Sequence, residues 1–432
     1  MKKSLLTAIL ALGIAGAAHA KTFTWSFQGD AQSLDPYVLN ETFTLGLLGN
    51  VYEGLIRRGA DLSVEPALAE SWEILEPTKW RFHLRKGVKF HNGNDFNADD
   101  VIFSATRVRA DGSDLKTRIA ADTQVVKVDD YTVDFITSAP NPILHSEWAT
   151  WYIMDKEWAE ANGATSPSSV TEGKDNYSAF NANGTGPFMV TKRETDVETI
   201  MEPNGNWWDK AKHNLTKVHF KPISSDPTRV AALLSGSIDM AYPIPVQDLG
   251  RVDNNNGTSA LTGPELRTIF LGMNQSAAEL KTSDVKGKNP FADVKVREAV
   301  YRAIDMEAIK AKVMRNLADP TPLMISPQLF TGLPNLKRLD HDVDAAKKLM
   351  ADAGYANGFS VTMDCPNNRY VNDEKICTAV VGMLAKVGIK VNLLAQPKAI
   401  YFGKVLGPKY DTDFYLLGWT PGSMDKIGRA HV

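Results

Sequence analysis

The chain has 432 residues, 43% of them hydrophobic and 23% charged, with a formal net charge of −3. That length exceeds what one hydrophobic core supports, so two or three domains are expected. No basic stripe or long charge run is present, which argues against a nucleic-acid partner, and beyond the N-terminus no segment is long and apolar enough to span a membrane.

The first element is a leader. Met1-Lys2-Lys3 precedes an apolar run from Leu5 to Ala18, and Ala18-His19-Ala20 is an A-x-A cleavage pattern. Residues 1–20 therefore read as a secretory signal peptide with Lys21 as the first mature residue. The run is too short to cross a bilayer. No cysteine precedes Cys365, so no lipid anchor is expected at the new N-terminus.

Thr22–Phe27 alternates and predicts a strand. Thr42–Tyr52 has apolar residues at helical spacing. Trp80–Leu84 alternates again. Asn97 is placed to cap a helix through Arg107, with Asp99 and Asp100 in its first turn, and Tyr131–Ile136 is a further strand. Residues 162–186 are rich in Gly, Ser, Thr and Asn and read as a loop ending at Gly184-Thr185-Gly186-Pro187. Phe188–Lys192 is a strand. Asp226 and Pro227 open a helix that stops at Gly236. Arg251–Gly263 is polar, with turn chemistry, and suits a domain boundary. Strand Thr268–Met273 follows it. Helices are then predicted at Val294–Ala303, Asp305–Val313, Val343–Ala353 and Asp373–Val387, alternating with strands Ser360–Asp364, Lys390–Ala395 and Phe414–Leu417. Gly354 and Gly388 stand where C′ glycines belong. This order argues for an α/β fold with mixed sheets flanked by helices. Cys365 and Cys377, in an oxidising compartment, read as a disulfide worth on the order of 3 kcal/mol. Their x11 spacing, with no neighbouring His, does not suit zinc.

Catalytic motifs are missing from the sequence. Neither His-Glu-x-x-His nor Gly-x-Ser-x-Gly occurs, and none of the Gly-Lys pairs is followed by the Ser or Thr of a phosphate loop. The eight His residues are scattered, and His91, before Asn92-Gly93, reads as a turn residue. Asp99-Asp100 and Asp129-Asp130 suit a helix start and a turn better than acid–base work. No cofactor or metal is called for.

Eight blocks, in order, carry a resemblance: Ser33-Leu34-Asp35-Pro36; Val51-Tyr52-Glu53-Gly54-Leu55; Pro66-Ala67-Leu68-Ala69-Glu70-Ser71-Trp72; Trp80 to Gly93; Gly184-Thr185-Gly186-Pro187-Phe188; Arg229 to Asp239; Pro290 to Ala299; and Leu417-Gly418-Trp419. Together they resemble the family 5 extracellular solute-binding proteins of ABC importers, the dipeptide, oligopeptide and nickel group. The resemblance implies a two-lobed periplasmic binding protein of type II, with an extra subdomain in the first lobe. Residues 21–55 and 185–265 would form the first lobe, 56–184 the extra subdomain, and 266–432 the second lobe. The lobes would close on a peptide or peptide-like solute and dock on the permease subunits in the inner membrane. The expected protein is a monomer, periplasmic, and not an enzyme.

By matching position, the resemblance assigns ligand contacts to Asn40, Glu41, Thr42, Tyr242, Phe270, Gly418, Trp419 and Thr420. Trp419 would offer a flat apolar wall. Asn40 also suits a helix cap. Peptide-binding members carry an Asp three residues after this Trp, where it meets the peptide ammonium. Here that position is Gly422, and Asp425 is the nearest substitute, with Glu41 the other acid in reach. The family pattern also runs past Val432 and returns to the first lobe, so a missing return and a less stable protein are expected. Two rivals remain open: a secreted hydrolase of peptides or esters, betrayed by turnover, and a periplasmic chaperone, betrayed by aggregation suppression without saturable binding.

Overall fold

The alternation in Thr22–Phe27 does make a strand, Lys21–Phe27, and it lies inside a sheet. In the computed structural model, which describes residues 21–169, 173–326, 336–406 and 410–422, it pairs in parallel with Leu215–Phe220 and with Met240–Tyr242. Glu198–Pro203 and Phe188–Glu194 extend the sheet antiparallel beyond Leu215–Phe220. The leader (1–20) and Asp425 lie outside the described residues.

A second sheet is an antiparallel meander in the order Ala69–Glu76, Lys79–Leu84, Thr132–Ile136, Gln124–Asp129. One face turns Trp80, Phe82, Val133 and Phe135 inward, where Phe135 meets Trp148 at 4.5 Å between ring centroids. The other face is held by charge, with Lys79 and Arg81 both on Asp134. Helix Ala98–Val108 starts as expected: Asn97 accepts from the Asp99 N–H, and Asp100 accepts from the Asn97 N–H, a reciprocal cap. The apolar residues of this meander and of the first sheet form one continuous core, from Phe27 and Phe220 to Trp80 and Phe82. A buried ion pair joins them. Arg107 donates two bonds to Asp35, at 2.8 and 2.5 Å, and the Ser178 hydroxyl and Ser168 N–H occupy the remaining Asp35 lone pairs. That full complement of partners is what makes two desolvated charges tolerable.

The third sheet has its own core. Its order is Thr268–Met273, Phe414–Trp419, Phe359–Pro366, Ile389–Gln396, antiparallel at the first pair and parallel thereafter. Helices Val294–Ala303, Val343–Asp352 and Asp373–Ala385 supply Val296, Val300, Met350, Val380 and Leu384 to that core. Gly354 and Gly388 follow two of them with φ of 84° and 86°, the left-handed conformation that glycine takes without strain. Cys365 and Cys377 are bonded, tying a central strand to the helix behind it. The result is a two-lobed α/β protein.

Several elements differ from the expectations. The first helix is Thr42–Leu48 and stops before Tyr52, because Asn50 turns its amide back onto the carbonyls of Gly46 and Leu47. Its N-cap position is Glu41, not Asn40. The helix at 226 is capped by Ser225, and Asp226 instead pairs with Arg229 one turn on. Asp305 caps only Met306–Ala308, after which the chain widens into a π-helical turn, Ile309–Val313. Helix Lys398–Val405 was not foreseen at all.

Candidate functional site

The two lobes meet through a small apolar cluster. Val38 and Leu39, just after the Asp35 anchor, pack against Tyr401, Phe402 and Val405 of helix Lys398–Val405 and against Tyr415. Beside this contact, three aromatic rings stack along the edge of the first sheet. Phe43 lies 3.9 Å from Phe27 with the ring planes nearly parallel, and Phe27 lies 5.7 Å from Tyr242. Parallel pairing aligns Phe27 with Tyr242 and Trp25 with Met240, which sets the column. Buried Arg229 holds the loop after Tyr242 in place by donating to the carbonyls of Pro243 and Ile223.

A pocket of about 200 Å³ opens on this column. Trp25, Thr42, Phe43 and Tyr242 line it from the first lobe, and Arg267 and Arg369 from the other side. It combines aromatic walls with a few charged groups, the usual make-up of a small-solute site.

An ion cluster stands at its back. Lys398 donates to both Glu41 oxygens, at 3.1 and 2.9 Å, and Arg369 approaches Oε1 at 2.6 Å. The Thr44 hydroxyl donates to Oε2 at 2.6 Å. All three charged side chains are buried. Burial by itself would raise the Glu41 carboxyl, but Lys398, Arg369 and Thr44 hold it below the ordinary carboxylate range. The Lys398 ammonium also sits 4.7 Å from the Phe43 ring centroid, a cation–π contact between lobes. Gly29 leaves room for it: a Cβ there would stand 2.8 Å from Lys398 Cε.

Of the expected ligand contacts, Thr42 and Tyr242 line the pocket. Both oxygens of Glu41 are engaged by protein groups. Asn40 accepts from Arg118 Nη2 at 3.3 Å and donates its N–H to Asp114. Phe270 packs edge-on to Tyr415 beside the Val38–Leu39 cluster. Gly418 donates its N–H to the Tyr370 hydroxyl at 2.9 Å, and a Cβ on it would strike the Tyr370 ring. Trp419, half-buried, pairs with Thr268 at the end of the third sheet. The Thr420 hydroxyl is buried with no hydrogen-bond partner among the described residues. Trp25, Phe43, Arg267, Arg369 and Lys398 were not anticipated. For Trp25 the signal was present: it shares a face of the alternating first strand with Phe27.

The model of the bacterial extracellular solute-binding proteins, family 5, matches residues 63–429. The chain belongs to that family. It is 26% identical over 406 residues to the glutathione-binding protein GsiB of Shigella boydii, covering 90% of this chain and 73% of the relative. It is 25% identical over 448 residues to the dipeptide-binding protein of Escherichia coli K12, covering 96% and 79%. Among solved structures, it superposes on the periplasmic binding protein AgaA of A. tumefaciens R10 in complex with agropinic acid, with a TM-score of 0.78, 26% identity, and coverage of 93% and 78%. DppA of Helicobacter pylori, with peptide STSA, matches with a TM-score of 0.81 at 24% identity over 94% and 79%. This family 5 protein is thus a solute-binding protein of the kind that works in transport, and among its described residues no helix is long and apolar enough to cross a membrane.

Proposed function

We propose that this protein is the periplasmic substrate-binding component of an ABC importer. It captures a small peptide-like solute between its lobes and hands it to the membrane permease. The pocket between Phe43 and Tyr242 on one side and Arg267 and Arg369 on the other is the observation that carries this reading. A dipeptide, glutathione and agropinic acid are the solutes named for its relatives, and each carries carboxylate, which suits two arginines at the pocket.

In this reading residues 1–20 are a cleaved leader. The first lobe is 21–55 with 185–265, carrying 56–184 as an extra subdomain, and the second lobe is 266–432. The two separate cores and the shared core of the first two sheets support that division. Thr42, Tyr242, Trp419 and Thr420 touch solute, with Asn40, Phe270 and Gly418 shaping the site. Glu41 holds the lobes together. The protein acts as a monomer and turns nothing over. Native and denaturing mass spectra of protein purified from periplasm test this. A mature chain starting at Lys21 with a released small-molecule mass is the expected result. Turnover of peptides or esters, or aggregation suppression without saturable binding, would overturn it.

A further inference from the structure

Arg118 stands at the junction of the lobes with few partners among the described residues. It ends a short 3₁₀ turn, Lys116–Arg118, in the first lobe, and its side chain reaches toward the segment after Trp419. Its Nη1 lies 2.5 Å from where a Cβ on Gly422 would stand, so glycine there makes space for the guanidinium. Among the described residues Arg118 makes no ion pair. Its one side-chain partner is the Asn40 amide oxygen, at 3.3 Å, and its Nε has none. Asp114 and Glu147 lie near enough to act on its charge but not within ion-pair distance; Asp114 accepts from the Asn40 N–H, and Glu147 from the Asn141 side chain. Arg58, also nearby, adds like charge. Two residues before Gly422, the Thr420 hydroxyl is a second buried polar group without a partner. Buried donors are nearly always satisfied, and two orphans, one beside Gly422 in space and one two residues before it in the chain, call for an acceptor. Arg118 offers a planar fork suited to a carboxylate, and Thr420 a hydroxyl donor.

We propose that Arg118 and Thr420 form an anion subsite beside Gly422, so that the solute presents a carboxylate here rather than an ammonium. With Arg267 and Arg369 at the pocket that Thr42, two residues on from Asn40, also lines, the preferred solute is then a dicarboxylate, anionic at both ends. The inference rests on the solute-binding reading and narrows it. An ammonium group placed here would face an unpaired guanidinium in a partly desolvated site, which is repulsive.

The test is calorimetric titration of the mature protein with di- and tripeptides, each with a free amine and as its N-succinyl derivative, which replaces the ammonium end with a carboxylate. The N-succinyl forms are expected to bind about tenfold or more tightly than the free amines, the scale of a charge-assisted bond. Arg118→Gln should reduce that preference to within about threefold, while Arg118→Lys, keeping the charge, retains part of it. Gly422→Asp should abolish it by supplying Arg118 with a carboxylate of its own. An unchanged melting temperature controls for folding, since Trp148 bonds only the backbone carbonyl of Arg118. Equal or tighter binding of the free amines, a preference that survives Arg118→Gln, or no binding by any N-succinyl peptide overturns the inference. A solute released in the native mass spectrum would still leave the solute-binding reading standing in each of those cases.

Discussion

Lys398 crosses from the second lobe to place its ammonium 2.9 Å from Glu41 Oε2 in the first, both side chains 2% exposed. The pair, with Arg369, is a desolvated ionic contact between lobes. Removing one member leaves the others buried without compensation. Glu41→Gln is therefore expected to cost about 3–5 kcal/mol in urea unfolding, and Glu41→Gln with Lys398→Met appreciably less. The pH dependence follows from the lowered Glu41 carboxyl. A depressed folded-state pKa contributes stability above the unfolded value, near 4.5, that is lost as pH falls through the folded one. Wild type should lose more stability than Glu41→Gln on acidification below about pH 4.5. Parallel acid limbs for the two proteins would show that the cluster is solvated in solution.

The disulfide joins residues 12 apart, so it restricts only a short loop of the unfolded chain. Cys365→Ala with Cys377→Ala is expected to cost on the order of 3 kcal/mol, from the lost cross-link and the small voids left at two buried sites. Guanidinium unfolding with and without reductant should reproduce most of that loss in the wild type. A reductant-insensitive midpoint would remove the disulfide from the account of stability.

Local chemistry made some of this fold legible. Asn97 with Asp99 and Asp100 announced the helix Ala98–Val108 because a cap is written in four consecutive residues. Strand Thr268–Met273 and helix Val294–Ala303 were likewise set by their own periodicity. Strands Ala69–Glu76 and Gln124–Asp129 were not, since both are edges with mostly exposed side chains and carry little alternation. Their pairing, not their composition, makes them strands. The same divide runs through the site. Thr42 and Tyr242 came from ordered motif blocks, and both line the pocket. Lys398 stands 357 positions from Glu41, and nothing in either segment announces the other. The engagement of Glu41 by protein cations is a tertiary fact.

Asp100 provides a second pH signature, of opposite sign. It is buried in the first turn of helix Ala98–Val108, accepts the N–H groups of Asn97 and Lys156, and faces Asp155 and Glu157. Burial pushes its carboxyl up to about 7. The folded state then binds more protons than the unfolded state between about pH 4 and pH 7, so this group's contribution falls as pH rises through that window. Asp100→Asn should flatten the decline in unfolding free energy between pH 4 and 7, whatever constant offset it adds. An identical slope in both proteins would mean that Asp100 titrates normally.

Tyr242 separates binding from folding. Its side chain is 52% exposed although its ring stacks on Phe27, and it forms one wall of the pocket. Exposed side chains contribute little to stability, so Tyr242→Ala should shift the unfolding free energy of the solute-free protein by less than about 1 kcal/mol. Phe43→Ala, by contrast, removes a buried ring that carries both the Phe27 stack and the Lys398 contact, and should cost about 3–5 kcal/mol. If solute lies against the column, Tyr242→Ala should weaken its binding roughly tenfold, the loss of one aromatic wall of about 1.4 kcal/mol. The readout is the solute-induced rise in melting temperature, which depends on affinity and concentration alone once the free proteins match. An unchanged rise in Tyr242→Ala would move the solute off the Phe43–Phe27–Tyr242 column and toward the Trp419 side of the cleft.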